Sequence, residues 1–354
     1  MQIDFHHAVT YVCARLAGFA DAEAATVAYA AQYVDDATNS GVVRFDNGAQ
    51  FKRMSSAHKL FDYRNFQNLA NSQVWIPFHF LPGNGGMPAD RSPSGGFIEK
   101  LICRANSPIA QDMVRECIVE RHSPYALQRL GITMHVYADT WAHQGFVGVN
   151  HRVNEARNLV DGQGQVDRRL LDRLKGYFIG EALPLGHGAV LGNPDKPFLR
   201  WGYTNGRGER IQRDNLRDFV AAAVALCDAM KRFHLGEPAG VVSPMLEADR
   251  QMIAALFANV TEHSSHRRHK QWATAIAAGK FSFGPANITY IPKGKGSWKH
   301  QALGTEKALD RSSDIFPYRD SFLTSDWKRF HDALQAHHFY VIHELLPQYG
   351  ICVA

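Results

Sequence analysis

The chain has 354 residues, 45% hydrophobic and 21% charged, with 39 basic side chains against 34 acidic ones. That is enough apolar material for a large core, and it excludes both intrinsic disorder and a disulfide-stapled mini-scaffold. No run approaches 18 uninterrupted apolar residues, which excludes a transmembrane helix, and the net charge of +5 tolerates an anionic partner without the concentrated basic stripe of a nucleic-acid binder.

The start, MQIDFHHAV, carries Asp4 early and no basic region, so no secretory signal is expected. A helix is predicted over 5–18, containing His6 and His7 and closed by Gly18. Asp21 then reads as the N-cap of an alanine-rich helix running to about Asp36. Residues 82–96, PGNGGMPADRSPSGG, form a loop. Ser107-Pro108 and Ser123-Pro124 each offer an N-cap with proline at the first helical position, and the second opens a helix, YALQRLGITMHVYADTWAHQG, that lasts to Gly145. A polar linker at 161–164, a helix at 166–179 and an irregular stretch at 183–210 follow. Further helices are predicted at 214–234 and 245–262, an extended basic segment at 281–304, and a last helix over about 325–345. Strand-like alternation is scarce, so the expected class is mainly α: a metal-binding helical core over 1–200 and a mostly helical extension over 201–354, packed on it or continuous with it.

Five cysteines (Cys13, Cys103, Cys117, Cys227, Cys352) are scattered and contain no C-x-x-C pair. They read as reduced thiols in a chain made in the cytoplasm, with export by a signal-independent route left open. Histidine stands out instead: 18 residues, against 12 Tyr and 6 Trp. The sharpest local pattern is His135-x3-Asp139-x3-His143 within the helix opened by Ser123-Pro124, where spacing of four puts all three on one face with small neighbours Gly131, Ala138 and Ala142. The two histidines lie roughly 12 Å apart along the axis, too far for one ion to take both from an unbroken helix. Asp139, between them, can bridge two ions, so the spacing favours a multinuclear site. Other compact candidates are Asp4-Phe5-His6-His7, Tyr33-Val34-Asp35-Asp36, Pro77-Phe78-His79-Phe80 and Gly186-His187-Gly188. Imidazole and carboxylate ligands suit zinc. Two carboxylates at a helix C-terminus oppose the macrodipole, which hints at a cation nearby.

In this order the residues resemble the zinc-dependent phospholipase C and single-strand-specific nuclease superfamily. Tyr33-x-x-Asp36 is similar to its Tyr-x-x-Asp element, favouring Asp36 over Asp35, and His79-Phe80 and His135-x3-Asp139 are similar to the elements that follow. His6 fits the N-terminal histidine better than His7. The strings DFHHAVTYVCARLAGF, AYAAQYVDDAT, PFHFLPG and HVYADTWAHQGF are also similar to an uncharacterised bacterial family, over about residues 1–200. The resemblance implies a compact all-helical fold with helical and irregular C-terminal additions, and two or three Zn2+ held by His6, Asp36, His79, His135, Asp139, His143 and His187. There are departures. The superfamily's next histidine falls ten residues after the first of His-x3-Asp, where this chain has Gly145, so His143 is the candidate. For the final pair, His187 with Asp195 is preferred to His151-x3-Glu155. Many secreted relatives use a processed N-terminal residue as a ligand, and with no signal to cleave, Met1 is not expected in that place.

The implied activity is phosphodiester hydrolysis, with Asp36 orienting or deprotonating the attacking water. A phospholipid or small phosphodiester is preferred to single-stranded nucleic acid as substrate. The aromatics Trp75, Phe78, Phe80, Trp141 and Phe146 around the motifs can rim a lipid site, although a core role is the commoner fate of such residues. His263-x2-His266-x2-His269, mixed with Arg267, Arg268 and Lys270, reads as a solvated face. His337, His338 and His343 complete no motif, and PKGKGSWK (292–299) is not a P-loop. The reading of a different class is a non-catalytic effector or interaction protein stabilised by metal, with a closed site and no open position.

Overall fold

In the computed structural model, residues 1–57, 68–165, 186, 190 and 192–353 are described. The helix predicted at 166–179 and the candidate ligand His187 lie outside them. The chain enters through α1, wound as a π-helix over Asp4–Val9 and continuing as α-helix over Thr10–Leu16, then passes to α2 (Asp21–Asp36). A hairpin of β1 (Gly41–Phe45) and β2 (Gln50–Arg53) precedes α3 (Asn68–Phe78), the short α4 (Phe97–Leu101), α5 (Pro108–Val119) and α6 (Ala126–Ala142). Strands β3 (Ala156–Asp161), β4 (Arg200–Asn205) and β5 (Arg210–Asp214) lead into α7 (Asn215–Leu235), α8 (Glu247–Asn259) and α9 (Ser265–Ala277). The chain closes through α10 (Trp298–Leu303), β6 (Ile315–Phe316) and α11 (Asp326–Phe339), which runs on as a π-helix over Tyr340–Leu345.

The mainly-α expectation is corrected here: the chain is about 51% helical and 10% strand, with two small sheets. One sheet has the order β2-β1-β6, antiparallel between β1 and β2 and parallel between β1 and β6; the other is the antiparallel β3-β4-β5. Both hairpins turn on an Asn-Gly step. Asn47-Gly48 reverses β1 into β2, and Asn205-Gly206 begins the reversal of β4 into β5, with Gly48 and Gly208 both at φ 84°. That step is the strongest short-range hairpin signal, and the pairs sit inside stretches that otherwise read as irregular. The second sheet straddles residue 200, and the largest apolar cluster joins Phe5, Met134 and Val136 to Phe219, Leu226 and Trp272. The two halves of the chain therefore share one core.

Helix α6 is the axis of the fold. Every residue from Gln128 to Ala142 is buried, because α2, α5, α7 and α11 all pack on it. A helix covered on all sides is normally apolar all round, yet this one carries His135 and Asp139. Those groups must be satisfied by partners. The small residues of α6 do not leave the open space expected above its face. A Cβ on Gly131 would meet the carbonyl of Val27 and lie 2.6 Å from Ala30 Cβ, so the missing side chain lets the α2 backbone come close. This approach sets the end of α2 beside His135.

Several helix boundaries follow from local chemistry. Ser107 Oγ accepts from the Ala110 amide, and Asp214 accepts from the Arg217 amide. Gly236 closes α7 at φ 77°. The N-cap of α2 is Ala20 rather than Asp21: Glu23 accepts from the Ala20 amide, and Asp21 instead accepts a hydrogen bond from the Tyr11 hydroxyl. Helix α6 begins after Tyr125 with no side-chain cap, so Ser123-Pro124 stands in the turn before it.

Candidate metal centre

Four elements converge on the buried Asp139. From α6, His135 Nε2 lies 3.4 Å from Asp139 Oδ2, and His79, just after α3, puts its Nδ1 at 3.4 Å from the same oxygen. The two imidazole nitrogens are 3.2 Å apart. Asp35, in the last turn of α2, closes the group, its Oδ1 at 3.9 Å from both. The other Asp139 oxygen faces a second group. Oδ1 is 3.2 Å from His6 Nε2 and accepts the Met1 amine, which is also 3.3 Å from Asp195 Oδ1. His143 links the two sides, with Nδ1 at 3.6 Å from Asp139 Oδ2 and Nε2 at 3.7 Å from Asp195 Oδ1. The two oxygens of Asp139 therefore face different ligand groups.

The tautomers are set from outside the cluster. His135 Nδ1 is 2.8 Å from the Ala31 carbonyl, and His79 Nε2 is 3.0 Å from the Ser56 carbonyl. Each of these nitrogens must donate, because a carbonyl only accepts. A neutral ring then presents a lone pair at its other nitrogen, so His135 Nε2 and His79 Nδ1 point lone pairs at each other across 3.2 Å. Such an arrangement is repulsive until a cation or proton lies between them. Ring N–H to carbonyl bonds of this kind are the usual outer support of a metal-ligating histidine. Tetrahedral zinc with bonds of about 2.0–2.1 Å holds its ligand atoms roughly 3.3 Å apart, close to the spacing found.

His6 gives an independent sign. It is fully buried and stacked on His135 at 3.8 Å between ring centres; its Nδ1 has no hydrogen-bond partner among the described residues, and its Nε2 faces the Asp139 carboxylate at 3.2 Å. Leaving a buried nitrogen unpaired costs about 1–3 kcal/mol. Burial, with repulsion from His135, holds the His6 pKa well below the usual imidazole range, so the ring is neutral and its lone pair available. Burial works against ionisation of Asp139, but the rings of His143 and His135 and the Met1 amine outweigh it and hold its carboxyl well below the usual range. Asp35 is pushed up by burial. The buried amine of Met1 resists its own desolvation through Asp139 and Asp195, which bring its pKa to about 11.

Of the residues proposed from sequence, His6, His79, His135, Asp139 and His143 are brought together. Asp36 is not. It points away from the imidazoles and accepts a hydrogen bond of 2.6 Å from the Tyr290 hydroxyl, and its neighbour Asp35 faces His79 and His135. Met1 enters although it was not expected to, and Asp195, weighed only as a partner of His187, joins His143 and the amine. The alternative pair is engaged elsewhere: His151 Nδ1 accepts from the Val153 amide and Glu155 pairs with Arg157. The segment around His263 is not wholly solvated either. Arg268 is buried in a two-bond ion pair with Asp4 at 2.6 and 3.0 Å, and His269 Nε2 is 2.8 Å from His7 Nδ1. Arg268 also donates to Gln2, so α9 fixes the strand of chain that carries Met1 and His6. Phe78, Phe80, Trp141 and Phe146 are buried, which makes them core rather than a rim.

The chain belongs to a family of unknown function, DUF6765, whose match covers residues 1–345. No curated protein and no solved structure matches it. The family's description assigns no function, and nothing in the match links the chain to the phospholipase C and nuclease superfamily. None of the described helices is long and apolar enough to cross a membrane.

Proposed function

We propose that the chain is a metal-dependent phosphodiester hydrolase whose His/Asp cluster holds two or more divalent ions, with zinc the ion its ligand set suits best. The observation that carries this is the pair of imidazole nitrogens, His79 Nδ1 and His135 Nε2, 3.2 Å apart and both 3.4 Å from Asp139 Oδ2, on rings whose other nitrogens meet backbone carbonyls. His79, His135 and one oxygen of Asp139 would hold one ion, with Asp35 beside it and a position left open; His6, the other oxygen of Asp139 and Asp195 would hold a second, with His143 and the Met1 amine beside it. When bound, such ions supply Lewis acidity toward phosphate oxygens and water. The chain's own contribution is to keep the buried His6 ring neutral and to set the partly exposed Asp35 beside the buried cluster. With its side chain 33% exposed against 0–6% for His6, His79, His135, Asp139 and His143, Asp35 is the carboxylate best placed to hold the proton of an attacking water. Of the five aromatics named from sequence, Phe78, Phe80, Trp141 and Phe146 are buried and only the half-buried Trp75, its ring centre 5.1 Å from that of His79, is left to form a rim for acyl chains or a stacking platform for bases, which favours a small phosphodiester.

The deep burial of the cluster also favours a second reading, a closed metal site that serves stability alone. Metal content per chain, measured on protein purified without a tag or chelator, comes first, followed by hydrolysis of bis(p-nitrophenyl) phosphate. Two or more ions with turnover that Asp35→Asn abolishes support the hydrolase. Bound ions without turnover leave the structural reading, and a chain that takes up no added zinc refutes both.

A further inference from the structure

Asp35 and Asp36 are successive residues at the end of α2, so their side chains leave the helix about 100° apart. Asp35 turns to the cluster, and Asp36 lines a narrow cleft with Arg53, Lys293, Lys299, Thr38 and His331. Three of these side chains are cationic. Arg53 and Lys299 share a single buried acid: Asp310 accepts from the Arg53 guanidinium and takes a 2.6 Å hydrogen bond from Lys299 Nζ. Lys293 has no acidic partner among the described residues. Against three positive charges there are two carboxylates, and Asp36 already accepts from Tyr290 and Gln32. Burial lowers the pKa of Lys299 against the opposing pull of Asp310, and repulsion from Arg53 and Lys293 adds a smaller part.

Among the described residues, the buried Thr38 Oγ1 has no hydrogen-bond partner. The buried His331 ring, neutral and hydrogen-bonded to the Met54 backbone, closes the cleft with a lone pair on Nδ1. A free hydroxyl donor beside one uncompensated positive charge forms a donor set for an anion. The cleft is too narrow for a ring, so the ligand group is compact.

We propose that this cleft is an oxyanion subsite, which takes a phosphoryl group through Lys293, Lys299, Arg53 and Thr38. The cleft shares no lining residue with the cluster, so the binding of an oxyanion there does not rest on the hydrolase reading.

The test is calorimetric titration of inorganic phosphate into the full chain, zinc-loaded and after treatment with chelator. The expected result is one phosphate bound in both states, weakened about tenfold or more by Lys293→Ala and restored by Lys293→Arg. Lys293 lies in a partly exposed coil, so the alanine variant should fold, which circular dichroism checks. Binding that needs metal and ignores Lys293→Ala would place the anion at the cluster and overturn the subsite. Absence of binding in the chelated wild-type chain overturns it as well. Phosphate binding as expected without turnover on any phosphodiester leaves the subsite standing and removes the hydrolase.

Discussion

Replacing Gly131 by alanine tests whether the close approach of α2 and α6 builds the metal centre. A Cβ at this position would lie 2.6 Å from Ala30 Cβ and 3.0 Å from the Ala31 amide nitrogen, besides meeting the Val27 carbonyl. Carbon atoms settle at about 3.5–4.0 Å, so the helices must part by roughly 1 Å. Overpacking of this kind costs about 1–3 kcal/mol, and the better helix propensity of alanine returns at most about 1 kcal/mol. The expected net loss is about 1–2 kcal/mol in urea unfolding of the zinc-free chain. The site should suffer more than the fold. The Ala31 carbonyl that orients His135 at 2.8 Å and the Asp35 carboxylate both ride on α2. Loss of such outer support typically costs 10–100-fold in metal affinity, read by competition with a chromogenic chelator. A variant more stable than wild type by the propensity gain alone, with unchanged zinc affinity, would refute the argument, because the contact would then be neither tight nor needed.

Removal of metal should destabilise the protein: ligand at a hundred times its dissociation constant contributes about 2.7 kcal/mol, so chelation should lower Tm and added zinc should restore it. A melting curve indifferent to both would count against the site. Arg268→Leu should cost about 3–5 kcal/mol, because it leaves the buried Asp4 carboxylate without its partner, and Asp4→Asn in the same chain should recover much of the loss; denaturant unfolding of the single and double variants measures the coupling. His7 and His331 are buried, and burial lowers both pKa values from 6.5 to about 3. The unfolded chain therefore binds more protons than the folded one between these limits. Stability should hold above pH 6.5 and fall as the pH drops from 6.5 towards 3; an unfolding free energy flat over that interval contradicts the burial of these neutral rings.

How much of this was legible in the sequence differs from element to element. Helices α5 and α7 could be placed because their signals are local: Ser107-Pro108 at one start, an amphipathic run ending at Gly236 in the other. The sheets were hidden because their strands are at most six residues long and lie in stretches rich in glycine, where only the Asn-Gly steps mark a reversal. In the site, His135 and Asp139 were visible because one helix carries both at a spacing of four. The choice between Asp35 and Asp36 was not, since it depends on the rotation of α2 about its axis, and that rotation is set by packing against α6, α1 and Trp298 and by the Tyr290 hydroxyl on Asp36, all remote in sequence from the acids. Met1 and Asp195 depend on still longer connections. The amine reaches Asp139 because Arg268 grips Asp4 and Gln2 from α9, more than 260 residues away. Periodicity can thus show that a helix face carries ligands, but which neighbour completes the set is decided by tertiary contacts. The same rotation that turns Asp35 inward turns Asp36 out to the basic cleft, so the packing of α2, of which the close approach at Gly131 is one part, orients both acids at once.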